Sequence, residues 1–227
     1  MRPSQMLPAC VIVVSLALVL GLAGFSIAMA APFAELVGNS DGYGFGAPIV
    51  GTIAAWPGPG PSGTNFDGRS AAEQAATNGA QITDVYSAIF PGSGPNPSQT
   101  ASVLFPFSGQ LNSGTLTIAM GDFQSSTFGA ISANINGTNL PFAFDDGFLV
   151  TTVRAFPLTP AQLDAANLAG QVALNFNHTG SGDFIAFDFF LLDGDLSPVP
   201  EPATLLLLGT TMAGLGAVRR WRRRTQN

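Results

Sequence analysis

The chain has 227 residues, with 8 Lys plus Arg against 14 Asp plus Glu and a formal net charge of −6. It contains no Lys and a single Cys, Cys10, which excludes a disulfide-stapled scaffold. The acidic balance argues against nucleic-acid partners, whose binding needs clustered Lys and Arg. The first feature along the chain is a leader. Arg2 and the amino terminus form a weakly positive start, Ala9 to Ala23 is an apolar run, and Ala28-Met29-Ala30 is a small-x-small cleavage pattern. Residues 1–30 therefore read as a secretory signal peptide. Cys10 lies inside the apolar run, so the mature chain is expected to carry no thiol.

The body, residues 31–198, is long enough for one domain with its own core. Its only basic residues are Arg69 and Arg154, against thirteen acids, a balance of minus eleven. Such a surface stays soluble and attracts divalent cations. Gly38–Gly46 is a Gly/aromatic patch that reads as a flexible N-terminal arm. Short β-branched and aromatic runs then alternate with Gly, Pro and Asn breaks. They predict strands at 49–54, 82–90, 101–107, 114–120, 129–135, 148–156, 171–176 and 184–192. Leu116, Ile118 and Met120 alternate with polar or small neighbours, as do Val172, Leu174 and Phe176. Phe187, Phe189 and Leu191 alternate with Asp188, Phe190 and Leu192, which predicts a strand buried on both faces for part of its length. Asn136-Gly137 and Asp146-Gly147 signal hairpin turns. Capping boxes at Ser70–Glu73 and Thr159–Gln162 open two short helices, the second with Pro160 at its first position and Gly170 at its stop. Trp56–Gly63 and Pro91–Pro97 are Pro/Gly loops. The expected fold class is all-β: an antiparallel, jelly-roll-like β-sandwich with one or two short helices.

After the body comes Val199-Pro200-Glu201-Pro202, then sixteen uncharged residues from Ala203 to Val218. As a helix the latter would rise about 24 Å, slightly short of a hydrocarbon core of about 30 Å. Arg219, Arg220, Arg222, Arg223 and Arg224 follow, with Trp221 among them. Snorkelling arginine stems and an interfacial Trp make 203–218 a feasible transmembrane helix with its C-terminal end towards the cytoplasm.

Residues 199–224 resemble a PEP-CTERM sorting signal: the motif at 199–202, the transmembrane helix at 203–218, the arginine cluster at 219–224. The resemblance implies a Gram-negative bacterial protein that is exported, held transiently in the inner membrane, and then placed at the cell surface or outside the cell. It implies recognition of Pro200-Glu201-Pro202 by an exosortase-type membrane transpeptidase, which removes the helix. It also implies an association with exopolysaccharide and biofilm production. In the body, Gly114–Asp122, Ile135-Asn136-Gly137, Thr159–Gly170 and Gly182–Leu192 follow one another in a layout similar to galactose-binding-like jelly rolls.

Catalytic chemistry is harder to find. His178 is the only His, and Asn177-His178-Thr179-Gly180 reads as a solvated hairpin tip. No catalytic residues and no obligatory cofactor are expected. Asp145-Asp146-Gly147 and Asp193-Gly194-Asp195 offer turn oxygens that suit Ca²⁺, although neither completes a twelve-residue calcium loop. Trp56, at a loop edge near Tyr43, Phe45 and Tyr86 in type, is the candidate sugar-stacking residue, although aromatics at strand spacing usually belong to a core. Three readings follow in order: a non-catalytic surface or matrix protein contacting exopolysaccharide, a carbohydrate- or Ca²⁺-binding lectin-like module, and a secreted polysaccharide hydrolase with two carboxylates about 5–10 Å apart.

Overall fold

The computed structural model describes residues 30–57, 66–72, 75, 82–88 and 99–197, with isolated positions 209, 213 and 214. The expected signal peptide, most of both Pro/Gly loops and the sorting segment with its 203–218 helix lie outside the described residues. No helix among the described residues is long and apolar enough to cross a membrane. Ala30–Ser197 forms one unit.

The β-branched and aromatic runs of the body form eleven strands among the described residues. In chain order they are β1 (Ala31–Gly38), β2 (Gly51–Thr52), β3 (Phe66–Asp67), β4 (Val85–Ser87), β5 (Thr100–Pro106), β6 (Gln110–Gly121), β7 (Ser132–Ile135), β8 (Thr138–Asn139), β9 (Val150–Pro157), β10 (Gln171–Asn177) and β11 (Ile185–Ser197). All ladders are antiparallel. One sheet runs β2-β9-β6-β11-β4-β3, with β1 also paired to β11, and the other runs β5-β10-β7-β8. From β4 to β7, and again from β8 to β11, each connection passes from one sheet to the other. Each of the eight expected strands has a counterpart, and the all-β antiparallel class holds. The division into seven and four strands is uneven compared with the eight strands of a jelly roll.

Side-chain alternation makes the core. Val103 and Phe105 of β5, Ala133 and Ile135 of β7, and Val172, Leu174 and Phe176 of β10 point inward from the smaller sheet. Leu116, Ile118 and Met120 of β6 and Ile185, Phe187, Phe190 and Leu192 of β11 join them in one buried cluster. Phe176 contacts Phe187 at 4.8 Å and Phe190 at 5.9 Å between ring centroids, which ties the two sheets together.

The strict alternation expected in β11 breaks at one point. Phe187 pairs with Met120 and Phe189 with Ala119, so Asp188 is an extra residue, a β-bulge. The bulge reverses the parity of the strand. Phe187 and Phe190, not Phe187 and Phe189, therefore face the main core, with their rings 4.9 Å apart. The strand is nevertheless buried on both faces from Ile185 to Asp188, as its composition predicts.

Helix α1 (Ser125–Phe128) is a single unpredicted turn. Helix α2 (Pro160–Ala169) matches its sequence signals: the Thr159–Gln162 capping box is complete, Pro stands in its first turn, and Gly170 stops it with φ 69°. Residues 71, 72 and 75 are helical, where the first capping box points. Asn136 (φ 48°) and Gly137 (φ 85°) form the expected tight turn between β7 and β8. Asp146-Gly147 does not join two paired strands: β9 pairs with β6 and β2. Nor is Asn177–Gly180 a hairpin tip, since β10 and β11 lie in different sheets. The Gly/aromatic patch is not a free arm either. Ala31–Gly38 is a strand along β11, and the loop after it folds over the sheet.

Phe190 is fully buried and Leu168 of α2 is 92% exposed. Truncating Phe190 to Ala should lower unfolding free energy by about 3–5 kcal/mol. Leu168→Ala should stay within about 0.5 kcal/mol of the parent. Urea unfolding followed by circular dichroism measures both.

Candidate functional site

The bulge at Asp188 lies where β11 changes partners on one edge. Ile185–Phe187 pair with β4, and Phe189–Leu196 pair with β1. Into the gap folds the Gly42–Gly46 loop, a wide turn in which Gly42, Tyr43 and Gly44 all have left-handed backbones (φ 82°, 61° and 75°). Glycine is required here by more than φ. A Cβ on Gly42 would strike the Ala47 backbone, and one on Gly44 would strike the Gly68 carbonyl. The winding turns successive N–H groups towards carboxylates. Gly42 and Tyr43 donate to Asp188 Oδ1 at 3.1 and 2.6 Å, and Gly44 donates to Asp41 Oδ1 at 2.7 Å.

Asp84 completes the group. It has φ 60°, donates its N–H to the Phe187 carbonyl at 2.7 Å, and accepts from the Gly68 N–H at 2.6 Å. One carboxylate oxygen each from Asp41, Asp84 and Asp188 lie within 4.8 Å of one another. Asp41 is exposed, whereas Asp84 and Asp188 are buried. Burial, with the charge of Asp41 added, holds the Asp188 carboxyl above the usual range; the Tyr43 N–H opposes this. Sequence reading missed this trio because its members lie far apart along the chain. The one available signal was a lone acid inside Phe187-Asp188-Phe189.

A second acidic group lies beside Tyr86 and the buried aromatic residues packed around it. Asp122 (φ 66°) accepts the Leu149 N–H at 2.7 Å and the Tyr86 hydroxyl at 2.8 Å. Asp183 accepts the Gln124 N–H at 2.6 Å. Burial raises both carboxyls, Asp183 to about 6, where the neighbouring charges of Asp122 and Asp145 add to the rise. These bonds pin the loops that carry Gln124 and Leu149.

Trp56 corrects an expectation. It is not an exposed stacking platform but the centre of a second core, 8% exposed. Its ring stacks on Tyr86 at 4.7 Å and 8°, meets Tyr43 and Phe45 edge-on at 5.2 and 5.5 Å, and covers Gly121, where a Cβ would come within 2.9 Å of the indole. His178 is likewise fully buried rather than solvated. Burial lowers its pKa, and backbone groups of Ala88 and Asp183 oppose the shift.

The acids expected to hold Ca²⁺ are not gathered into one constellation. Asp145 accepts from the Ser126 N–H and hydroxyl, and Asp146 is ion-paired with Arg154 and bonded to Thr152. Asp195 accepts from Ser113 at 2.9 Å. Among the described residues these acids form no metal-binding trio. Asp193 and Asp195 instead border an open groove of about 630 Å³, together with Phe33, Asn112, Ser113 and Leu158.

The C-terminal residues 198–224 match the family model of the PEP-CTERM protein-sorting motif, as their resemblance implies. No curated protein matches the chain. Among solved structures, the crystal structure of dimeric latent PorU from Porphyromonas gingivalis is similar at 14% identity with a TM-score of 0.35. The match covers 77% of this chain and 14% of that one. So low a score carries no argument about this body.

An unfolded Asp titrates near 3.8, and folded Asp183 near 6. The folded state therefore holds the proton more tightly. The stability contributed by this group is fully present below pH about 4 and is lost as pH rises through about 6. Asp183→Asn keeps an oxygen acceptor for Gln124 and should flatten this part of the profile. Urea midpoints at intervals between pH 4 and 7 would show the change in slope.

Proposed function

We propose that this chain is an exported, non-catalytic surface or extracellular-matrix protein, sorted and cleaved by an exosortase-type transpeptidase and associated with exopolysaccharide. The observation that carries the reading is the sorting motif at residues 198–224. Within it, Val199, Pro200, Glu201 and Pro202 are the recognition sequence, and the arginines at 219–224 hold the inner-membrane intermediate in place. These residues are another enzyme's substrate. The N-terminal leader supplies export, and the antiparallel sandwich supplies a stable body outside the cell. A body with two arginines and thirteen acids also stays soluble beside other polymers.

The groove beside Asp193 and Asp195 favours a second reading, a saccharide-binding module. Its lining mixes hydroxyl, amide and carboxylate groups with Phe33 and Leu158. It supports a hydrolase less well. Asp193 and Asp195 stand two residues apart on β11, so both acids come from one wall, whereas glycoside hydrolysis needs carboxylates flanking the scissile bond.

Intact-mass measurement on protein from the source cells tests the sorting. The expected mature species begins at Ala31 and ends near Pro200–Pro202, and Glu201→Ala accumulates the full-length C terminus in the inner membrane. Full-length protein in outer-surface fractions would refute the reading. Glycan-array binding tests the groove: a ligand lost on Asp195→Ala would favour the saccharide-binding module, and no bound glycan would favour the matrix role.

A further inference from the structure

We propose that Asp41, Asp84 and Asp188 bind a divalent cation, Ca²⁺ by preference, which fastens the Gly42–Gly46 loop to the larger sheet. The three carboxylates come from separate parts of the chain: the residue opening the loop, the residue before β4, and the bulge of β11. Each is placed there by backbone structure. The left-handed turn fixes Asp41 through its bond from Gly44, the left-handed Asp84 is tied to Phe187 and Gly68, and the bulge turns Asp188 out of the main core. Their oxygens lie within 4.8 Å of one another, a spacing that ligands at 2.3–2.6 Å from a shared Ca²⁺ satisfy.

The second observation is the state of Asp188. This side chain is fully buried. Its Oδ1 already accepts two N–H groups, but its Oδ2 has no hydrogen-bond partner among the described residues. Buried polar atoms are nearly always satisfied, so an orphan carboxylate oxygen beside two further carboxylates asks for a positive partner. The chain has no Lys to supply one, and among the described residues Arg154 is ion-paired with Asp146 and Arg69 with Asp67. An all-oxygen donor set selects a hard cation. Ca²⁺ tolerates the irregular geometry of three unrelated segments, completing its shell with water at the exposed Asp41 side, whereas Mg²⁺ demands a near-ideal octahedron.

The test uses the full-length chain in detergent, stripped with EDTA and titrated with CaCl₂ alone. Calorimetry should show about one ion per chain, and the melting temperature should rise with Ca²⁺ as expected for a ligand that binds only the folded state. Asp41→Asn, at the exposed rim, keeps the acceptor for Gly44 and should fold. It should weaken Ca²⁺ binding roughly ten-fold or more, as loss of a charged ligand from an oxygen site does. Asp188→Asn should abolish the Ca²⁺-induced rise while melting in EDTA at or above the parent's temperature, because one like charge is gone. Asp193→Asn, in the groove, should respond as the parent does. No heat and no melting shift up to about 10 mM Ca²⁺, above the range of weak extracellular calcium modules, would overturn the site. Unchanged binding in both Asp41→Asn and Asp188→Asn would overturn it too. Mg²⁺ binding as tightly as Ca²⁺ would overturn the preference.

Discussion

Strand β11 is hydrogen-bonded along both edges, to β6 on one side and to β1 and then β4 on the other, while Ile185, Phe187, Phe190 and Leu192 fill the main core from its inner face. Among the described residues no other strand pairs with three others. It is also the last strand of the body in sequence. The larger sheet therefore cannot close until Ile185–Ser197 is available, and its pairing with Ala31–Gly38 is about as non-local as this body allows. Such long-range contacts pay loop-closure entropy before they return burial, which makes folding slow relative to helical proteins of similar size.

The bulge gives that strand its second function. One extra residue turns the parity of the chain, so that Phe190 and Leu192 stay in the sandwich while Asp188 faces the opposite layer. On that opposite face Ala186, Trp56, Tyr43 and Ile53 form a smaller core under the N-terminal loop. A buried carboxylate and a buried aromatic cluster thus adjoin each other. The backbone N–H groups of Gly42 and Tyr43 join them, since Tyr43 belongs to both. The larger sheet is covered on both faces here, by the smaller sheet and by the loop.

Much of the fold was legible because its signals are local. The periodicity of Leu116-Ile118-Met120 and of Val172-Leu174-Phe176, the Asn136-Gly137 turn and the Thr159 capping box each depend on neighbours within a few residues. What escaped depends on distant ones. Strand β1 carries Pro32 and Glu35 and lacks strong alternation; it is a strand because β11 offers it an edge. The two-residue strands β3 and β8 are too short for any period. Trp56 beside Pro57 has the composition of an exposed loop, and its burial comes from Tyr43, Phe45, Tyr86 and Gly121. The acidic trio joins residues 41, 84 and 188, so adjacent pairs such as Asp145-Asp146 drew attention instead. The sorting motif was the most legible feature of all, since its recognition is a matter of linear order.

The register of β1 against β11 sets Ala31 opposite Leu196, so the chain enters and leaves the body at neighbouring points. This has a mechanical meaning. A pull between the two ends would peel β1 from β11 one hydrogen bond at a time. A load carried through Ser197 alone, against drag on the rest of the body, runs along the strand axis and shears two ladders of eight and eleven register pairs at once. Bonds loaded together resist far more force than bonds loaded in turn. A load entering at Ser197 is thus shared between two ladders, whereas a load between the two ends meets one bond at a time.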